Sequence, residues 1–193
     1  ILCSYSWSAI FWNMLEAARM NGIRRFAFAS SCAVYGDRKA VPIREINERA
    51  PLSPYAWSKA CGEDALEYAA RLHGVHATAF RYFNVYGPRQ AADSAYSGVI
   101  ALFAKRALAH EPATIFGDGG QSRDFVYVKD VARFNRLAVE QPFRAGLFQC
   151  LNACTGASIS VLDLWRTICE AAGAEPDHTL AEVRTGDIRR SEE

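Results

Sequence analysis

Tyr55 and Lys59 stand four residues apart in Ser53-Pro-Tyr-Ala-Trp-Ser-Lys59, a spacing that puts a phenol and an ammonium on one face of a helix. A free phenol titrates near about pH 10. A neighbouring ammonium and a helix N-terminus both favour the phenolate, so such a pair can take a proton near neutral pH. The helix has to begin here for the chemistry to work. Ser53 suits the N-cap, Pro54 the first helical position, and Ala60, Ala65, Leu66, Ala69 and Leu72 carry the apolar pattern on to Gly74. By itself the spacing equally suits a half-buried tyrosine beside a solvated lysine.

Other segments bear on that choice. Phe26-Ala-Phe-Ala-Ser-Ser-Cys-Ala-Val-Tyr-Gly36 is an apolar run ending in two hydroxyls and a glycine turn. It reads as a buried parallel strand delivering Ser30 and Ser31 to the carboxyl edge of an open sheet, where such sheets bind ligands. Ala77-Thr-Ala-Phe-Arg-Tyr-Phe-Asn-Val-Tyr-Gly-Pro-Arg89 repeats the pattern, with Asn84 and a Gly87-Pro88 turn after the strand. Thr114-Ile-Phe-Gly-Asp-Gly-Gly-Gln-Ser-Arg-Asp-Phe-Val-Tyr-Val-Lys-Asp130 is a glycine turn leading to Arg123 and another strand, and Arg184-Thr-Gly-Asp-Ile-Arg-Arg-Ser191 closes the set.

In this order the motifs S-S-x-x-V-Y-G, S-P-Y-x-x-S-K, R-Y-F-N-V-Y-G-P-R-Q, G-D-G-x-Q-x-R-D-F-V-Y-V-x-D and R-x-G-D-I resemble the extended short-chain dehydrogenase/reductase family. Within it they are most similar to the NAD-dependent UDP-glucose and UDP-N-acetylglucosamine 4-epimerases, which Tyr96-Ser-Gly-Val-Ile100 also echoes. The resemblance runs from about Asn13 to the end of the chain. It implies an NAD cofactor, a UDP-sugar substrate and a homodimer paired through the Tyr55 helix and its preceding neighbour.

The positioning elements follow from periodicity. Helices are expected near 8–21, 55–73, 97–110, 129–140 and 160–172, and strands near 24–30, 76–82, 113–116, 124–127 and 147–151. Strand and helix in alternation argue for an α/β fold with a parallel sheet covered on both faces. Read with the family, it is a partial Rossmann-like doubly wound sheet lacking its first βαβ units, plus a small C-terminal substrate-binding domain. Residues 1–88 are assigned to the cofactor domain and 89–193 mainly to the nucleotide-sugar region, with some segments returning.

Half of the 193 residues are hydrophobic, enough for one sizeable core, and a net charge of +1 offers no bulk case for nucleic acid or an acidic membrane surface. No apolar stretch is long enough to span a bilayer, and the first 12 residues lack the basic start and cleavage site of a signal peptide. The six cysteines form no C-x-x-C and the four histidines no ligand set, so the cysteines read as reduced packing residues of a cytoplasmic protein. A Cys150–Cys154 bridge is the alternative. Asp124 reads as a turn anchor and Asp130 as a helix N-cap.

The resemblance implies a mechanism. Tyr55 removes the proton of the sugar 4-hydroxyl while hydride leaves C4 for NAD⁺, the 4-keto sugar turns over, and hydride and proton return to the other face. Lys59 lowers the Tyr55 pKa and holds the nicotinamide ribose. Ser31 aligns with the serine that hydrogen-bonds the reacting oxygen, and Ser30 and Tyr82 with positions lining the nicotinamide. Arg123 and Arg184 match the arginines that grip the diphosphate, which suits a planar fork of donors. Asn84 matches a sugar-phosphate contact, and Val99 and Phe116 match positions near the sugar-proximal chain and the uracil. Ser191 falls beside the sugar 2-substituent, where a small residue admits an N-acetyl group. Surface salt bridges are the alternative for the arginines, plain core for Phe116, and a strand-end hydroxyl satisfying backbone for Ser31.

No glycine-rich turn here leads from a strand into a helix, as a dinucleotide pyrophosphate requires. Gly117-Asp-Gly-Gly120 precedes a strand instead. Against the family the chain starts inside the helix before the Ser30-Ser31 strand, and Trp7 and Ile10-Phe11 depart from its pattern. The expectation is a fragment, a frameshifted start or a decayed gene. Other readings stay open: a UDP-glucuronate epimerase or decarboxylase using Arg89, or an inert piece that binds nucleotide sugar weakly or not at all. A dehydratase is disfavoured, because Ser31-Cys32 stands where that subgroup carries Asp-Glu.

Overall fold

The computed structural model describes residues 2–38, 41–93, 98–183 and 190–191. It resolves into two compact units, the first built from residues 1–38, 44–82 and 130–153 and the second from 39–43, 83–129 and 154–193.

In the first unit, β1 (Arg25–Ser31), β2 (His76–Tyr82) and β6 (Phe148–Ala153) form a parallel sheet in the order β1-β2-β6. Side chains alternate across it. One face packs against α1 (Leu2–Met20) and α2 (Pro54–His73) through Leu15, Leu66, Ala69, Ala77 and Ala79, with Phe26 and Phe28 against them. On the other face Phe80 stacks on Phe134 of α4 (Val128–Glu140), ring centroids 6.2 Å apart. Helices thus lie on both faces, as the alternating pattern predicts, with Ala29 and Leu151 still exposed on the α4 side.

α2 begins and ends where local chemistry requires. Ser53 Oγ accepts the Ala56 N–H at 3.1 Å, Pro54 opens the first turn, and Gly74 closes the helix in the left-handed conformation at φ 65°. At Gly62 the helix lies close on the sheet, since a Cβ there would stand 2.5 Å from the Phe28 ring. After β1 a 3-10 turn over Cys32–Tyr35 ends at Gly36, φ 69°, where a Cβ would fall 2.1 Å from the Ala50 carbonyl oxygen. Arg25 closes α4 by donating to the Val139 and Gln141 carbonyls, a cation at a helix C-terminus.

In the second unit, β5 (Ser122–Tyr127) pairs in parallel with β3 (Asn84–Tyr86) and β9 (Arg190–Ser191) and antiparallel with β7 (Ser158–Ser160). A second parallel pair joins β4 (Ala113–Phe116) to β8 (His178–Ala181). α3 (Val99–Leu108) and α5 (Val161–Ala172) enclose a core in which Phe103 meets the buried Trp165 edge-on at 5.1 Å.

The expected helices and strands are present, with shifted ends. α1 starts at Leu2 and β6 runs to Ala153. β3, β7, β8 and β9 have two to four residues each, too few for alternation to be visible in sequence. Asp130 is corrected: α4 starts at Val128, so Asp130 lies inside the first turn rather than at the N-cap. Cys150 is a free thiol, so that bridge is absent. Among the described residues no helix is long and apolar enough to cross a membrane.

His76 supplies a pH prediction for this fold. It is 2% exposed, its Nδ1 accepts the Arg144 N–H at 3.3 Å, and its Nε2 has no partner among the described residues. Burial, reinforced by the Arg25 and Arg144 charges, holds its pKa below the usual imidazole value. The unfolded chain, titrating near about 6.5, then binds the proton more readily than the folded one. Stability is expected to fall as pH drops below that value, down to the folded pKa. Urea midpoints measured across this range should slope less in His76→Gln, and equal slopes would contradict the assignment.

Candidate functional site

Tyr55 occupies the first turn of α2 with 55% of its surface exposed, and its hydroxyl makes no hydrogen bond to a described residue. One turn on, the half-buried Lys59 places Nζ 5.6 Å from the Tyr55 ring centroid and 5.3 Å from that of Phe28. Its ammonium donates to the Ala29 carbonyl at 2.7 Å, which ties α2 to β1 two residues before Ser31. Burial lowers the Lys59 pKa. An ammonium has three donors, and this one meets no carboxylate among the described residues, so it can still serve a phenolate or a ligand hydroxyl.

Ser31 ends β1 beside Tyr82, its register partner at the end of β2. Its Oγ accepts the Ala33 N–H at 3.2 Å and so caps the 3-10 turn, leaving the hydroxyl proton to donate elsewhere. The Tyr82 hydroxyl accepts from Asn135 Nδ2 at 2.6 Å. Burial raises its pKa against that bond. What Tyr82 has left for a ligand is its ring and its own hydroxyl proton.

Ser30, expected to line the nicotinamide, is placed differently from Ser31. Strand alternation turns it to the α2 face, where it is 2% exposed and donates to Glu63 Oε1 at 2.5 Å. Glu63 in turn accepts from Arg81 Nε at 2.9 Å, Arg81 Nη2 at 2.7 Å and Arg49 Nη1 at 3.3 Å. Burial pushes the Glu63 carboxyl up, but the Arg81 and Ser30 hydrogen bonds and the two guanidinium charges outweigh it, and its pKa lies below the usual value. Tyr35, which takes an Arg81 bond at 2.9 Å and donates to Asn152 Oδ1 at 2.6 Å, is pushed up to about 12 by burial. Sequence reasoning missed this network. The available signals were an arginine inside the otherwise apolar run 76–82 and a glutamate four residues after Lys59.

In the second unit, Asn84 Nδ2 donates to the Asp124 carbonyl at 2.9 Å. The wholly buried Asp124 carboxylate accepts from the Thr155 N–H and hydroxyl and from the Gly156 N–H, and so fixes that turn. Arg123 lies on β5 with Nη1 donating to its neighbour's carbonyl, and Ser191 is its register partner on β9. Val99 opens α3 and Phe116 ends β4, both partly exposed. Arg184 and the Tyr96-Ser97 start of the Tyr96-Ser-Gly-Val-Ile100 pattern lie outside the described residues, as does the Ser191 side chain. Among the described residues no cluster of His, Cys, Asp and Glu could hold a metal.

Comparison with known proteins adds four findings. The model of the NAD dependent epimerase/dehydratase family matches residues 5–154. Over 179 residues the chain is 38% identical to a putative UDP-glucose 4-epimerase of Methanocaldococcus jannaschii, covering 92% of this chain and 57% of that protein. Among solved structures it is similar to the UDP-N-acetylglucosamine 4-epimerase of Methanobrevibacter ruminantium in complex with UDP-N-acetylmuramic acid, at 36% identity and a TM-score of 0.89 over 94% of this chain and 57% of that one. It is likewise similar to the Thermus thermophilus UDP-glucose 4-epimerase in complex with NAD, at 37% identity and a TM-score of 0.84 over 94% and 59%. The chain therefore spans less than two thirds of the length of these relatives.

Proposed function

The chain belongs to the NAD-dependent epimerase/dehydratase family, and from that premise we propose that it carries the proton-transfer and substrate-binding residues of a nucleotide-sugar 4-epimerase. The substrates are UDP-glucose and UDP-galactose or their N-acetylhexosamine counterparts. The observation that carries this reading is the Tyr55–Lys59 pair in the first turn of α2, anchored through Ala29 to the strand that ends in Ser31.

The residues fit the nicotinamide end of NAD. A half-buried ammonium with donors to spare suits ribose hydroxyls, and a phenol with no hydrogen bond to a described residue suits a proton carrier. Held there by Lys59, NAD⁺ would supply a reversible hydride acceptor for C4 of the sugar. Tyr55 takes the proton of the 4-hydroxyl and gives it back, and Lys59 stabilises the phenolate meanwhile. Ser31, its oxygen fixed by the Ala33 N–H, holds the reacting oxygen through its free proton. Arg123 and Arg184 take the diphosphate, Asn84 the sugar-phosphate portion, and Val99 and Phe116 the sugar-proximal chain and the uracil. Residues 1–88 then belong to the cofactor domain and 89–193 mainly to the substrate region. Trp12 and Met14 on α1 and Trp57, Tyr68 and Leu72 on α2 are at least half exposed, which supports pairing of two copies through these helices.

The test is incubation of the purified protein with NAD⁺ and, separately, UDP-glucose and UDP-N-acetylglucosamine carrying deuterium at C4. Conversion to the 4-epimer with the label kept is expected, and the small Ser191 predicts that the acetylated sugar is accepted. No conversion of either sugar, or loss of label to water, would overturn the reading.

A further inference from the structure

Glu63 lies four residues beyond Lys59 and eight beyond Tyr55, on the same face of α2. It is 2% exposed, and its two oxygens bind Ser30 of β1 and Arg81 of β2, with Arg49 on the outer side. Ser30 and Arg81 are register partners, and the next pair along the sheet is Ser31 and Tyr82. One carboxylate thus grips both strands a single residue before the pair assigned to ligand contact. Arg81 extends the grip through Tyr35 to Asn152, its register partner on β6.

A buried ion pair is a poor source of stability, because desolvation offsets most of the attraction. Geometry is what it supplies. Besides the Lys59–Ala29 hydrogen bond and the Phe28 ring beneath Gly62, the seam between α2 and the sheet is made of Ala65, Leu66, Ala69, Ala77 and Ala79, mostly short apolar groups that specify axial position weakly. A two-pronged guanidinium–carboxylate contact does not tolerate sliding.

We propose that Glu63 is a positioning residue for Tyr55 and Lys59: by binding Ser30 and Arg81 it sets how far α2 advances over the ends of β1 and β2, and so where the phenol and ammonium stand relative to Ser31. This rests on the reading of Tyr55 and Lys59 as the proton-transfer pair. A misplacement of about 1 Å at such a pair costs on the order of a hundredfold in rate.

The experiment uses the full chain with Glu63→Gln, which keeps the shape and removes the charge, and Ser30→Ala, which removes one hydrogen bond. Two quantities are read: the ¹³C resonance of the Tyr55 ring without ligand, assigned by Tyr55→Phe, and kcat and KM for the UDP-sugar. In Glu63→Gln the Tyr55 resonance shifts while that of Tyr127 in the second unit holds, and kcat falls about a hundredfold with KM changed less than about twofold. Ser30→Ala moves the same quantities less, and carries the test if Glu63→Gln does not fold. A folded variant with a lower melting temperature but an unmoved Tyr55 resonance and kcat overturns the proposal, since that is what a purely structural role would produce. If the resonance moves while the wild-type chain turns nothing over, the enzymatic reading fails and the positioning role stands.

Discussion

Replacing Tyr55 with phenylalanine is expected to lower kcat for 4-epimerisation by about a hundredfold to ten-thousandfold, the usual weight of a general acid–base group. The expectation is sharp because the substitution leaves little else altered. The Tyr55 hydroxyl has no hydrogen bond to a described residue and the side chain is more than half exposed, so its removal orphans no buried partner. Changes at such exposed positions usually stay within about 0.5 kcal/mol. Steady-state kinetics paired with thermal melting separates the outcomes. An unchanged melt with the rate lost supports proton transfer at Tyr55. A retained rate would remove Tyr55 from the mechanism and with it the observation on which the proposed function stands.

The largest stability effect is expected at Arg81. Arg81→Met leaves the Glu63 carboxylate buried with Ser30, the Cys150 thiol and the longer Arg49 contact, and breaking a buried pair in this way costs about 3–5 kcal/mol. The Glu63 contribution to the pH dependence should change sign as well. In the wild type the Glu63 pKa is depressed, so its contribution is present above the unfolded carboxylate value of about 4.3 and is lost as pH falls through the folded one. Without Arg81 burial dominates and raises that pKa, and His76 contributes alike to both proteins, so the variant's deficit relative to the wild type should shrink as pH is lowered from about 7 toward 5. Urea denaturation at both pH values tests this, together with Glu63→Met/Arg81→Met, which replaces both charges by apolar groups and should be more stable than Arg81→Met alone. A double variant no more stable than the single one would show that Glu63 is not stranded by the loss of Arg81.

The two expectations differ in how far sequence could reach them. The Tyr55–Lys59 pair was legible because everything that places it is local: a serine cap, a proline at the first helical position, a four-residue spacing and a glycine stop. The same holds for the strand ending in two serines and for the glycine turn between β4 and β5. Interactions within a few residues are carried by residue type and order, so the motifs that identify the family could be read directly.

Tertiary structure decided which way those residues face and what they meet. Ser30 and Ser31 are neighbours in sequence, yet alternation sends one to a buried carboxylate and leaves the other at the strand end, and which face α2 would cover was settled by packing. Glu63 finds Arg81 across 18 residues and Tyr35 finds Asn152 across 117, pairings that no local spacing encodes. The short strands β3, β7, β8 and β9 exist because β5 and β4 offer them partners, not through any preference of their own. Sequence by itself determined the chemistry available and the helix that bears it. The fold determined its geometry, because strand pairing and the satisfaction of buried charge are properties of surfaces that come together only when the chain is closed.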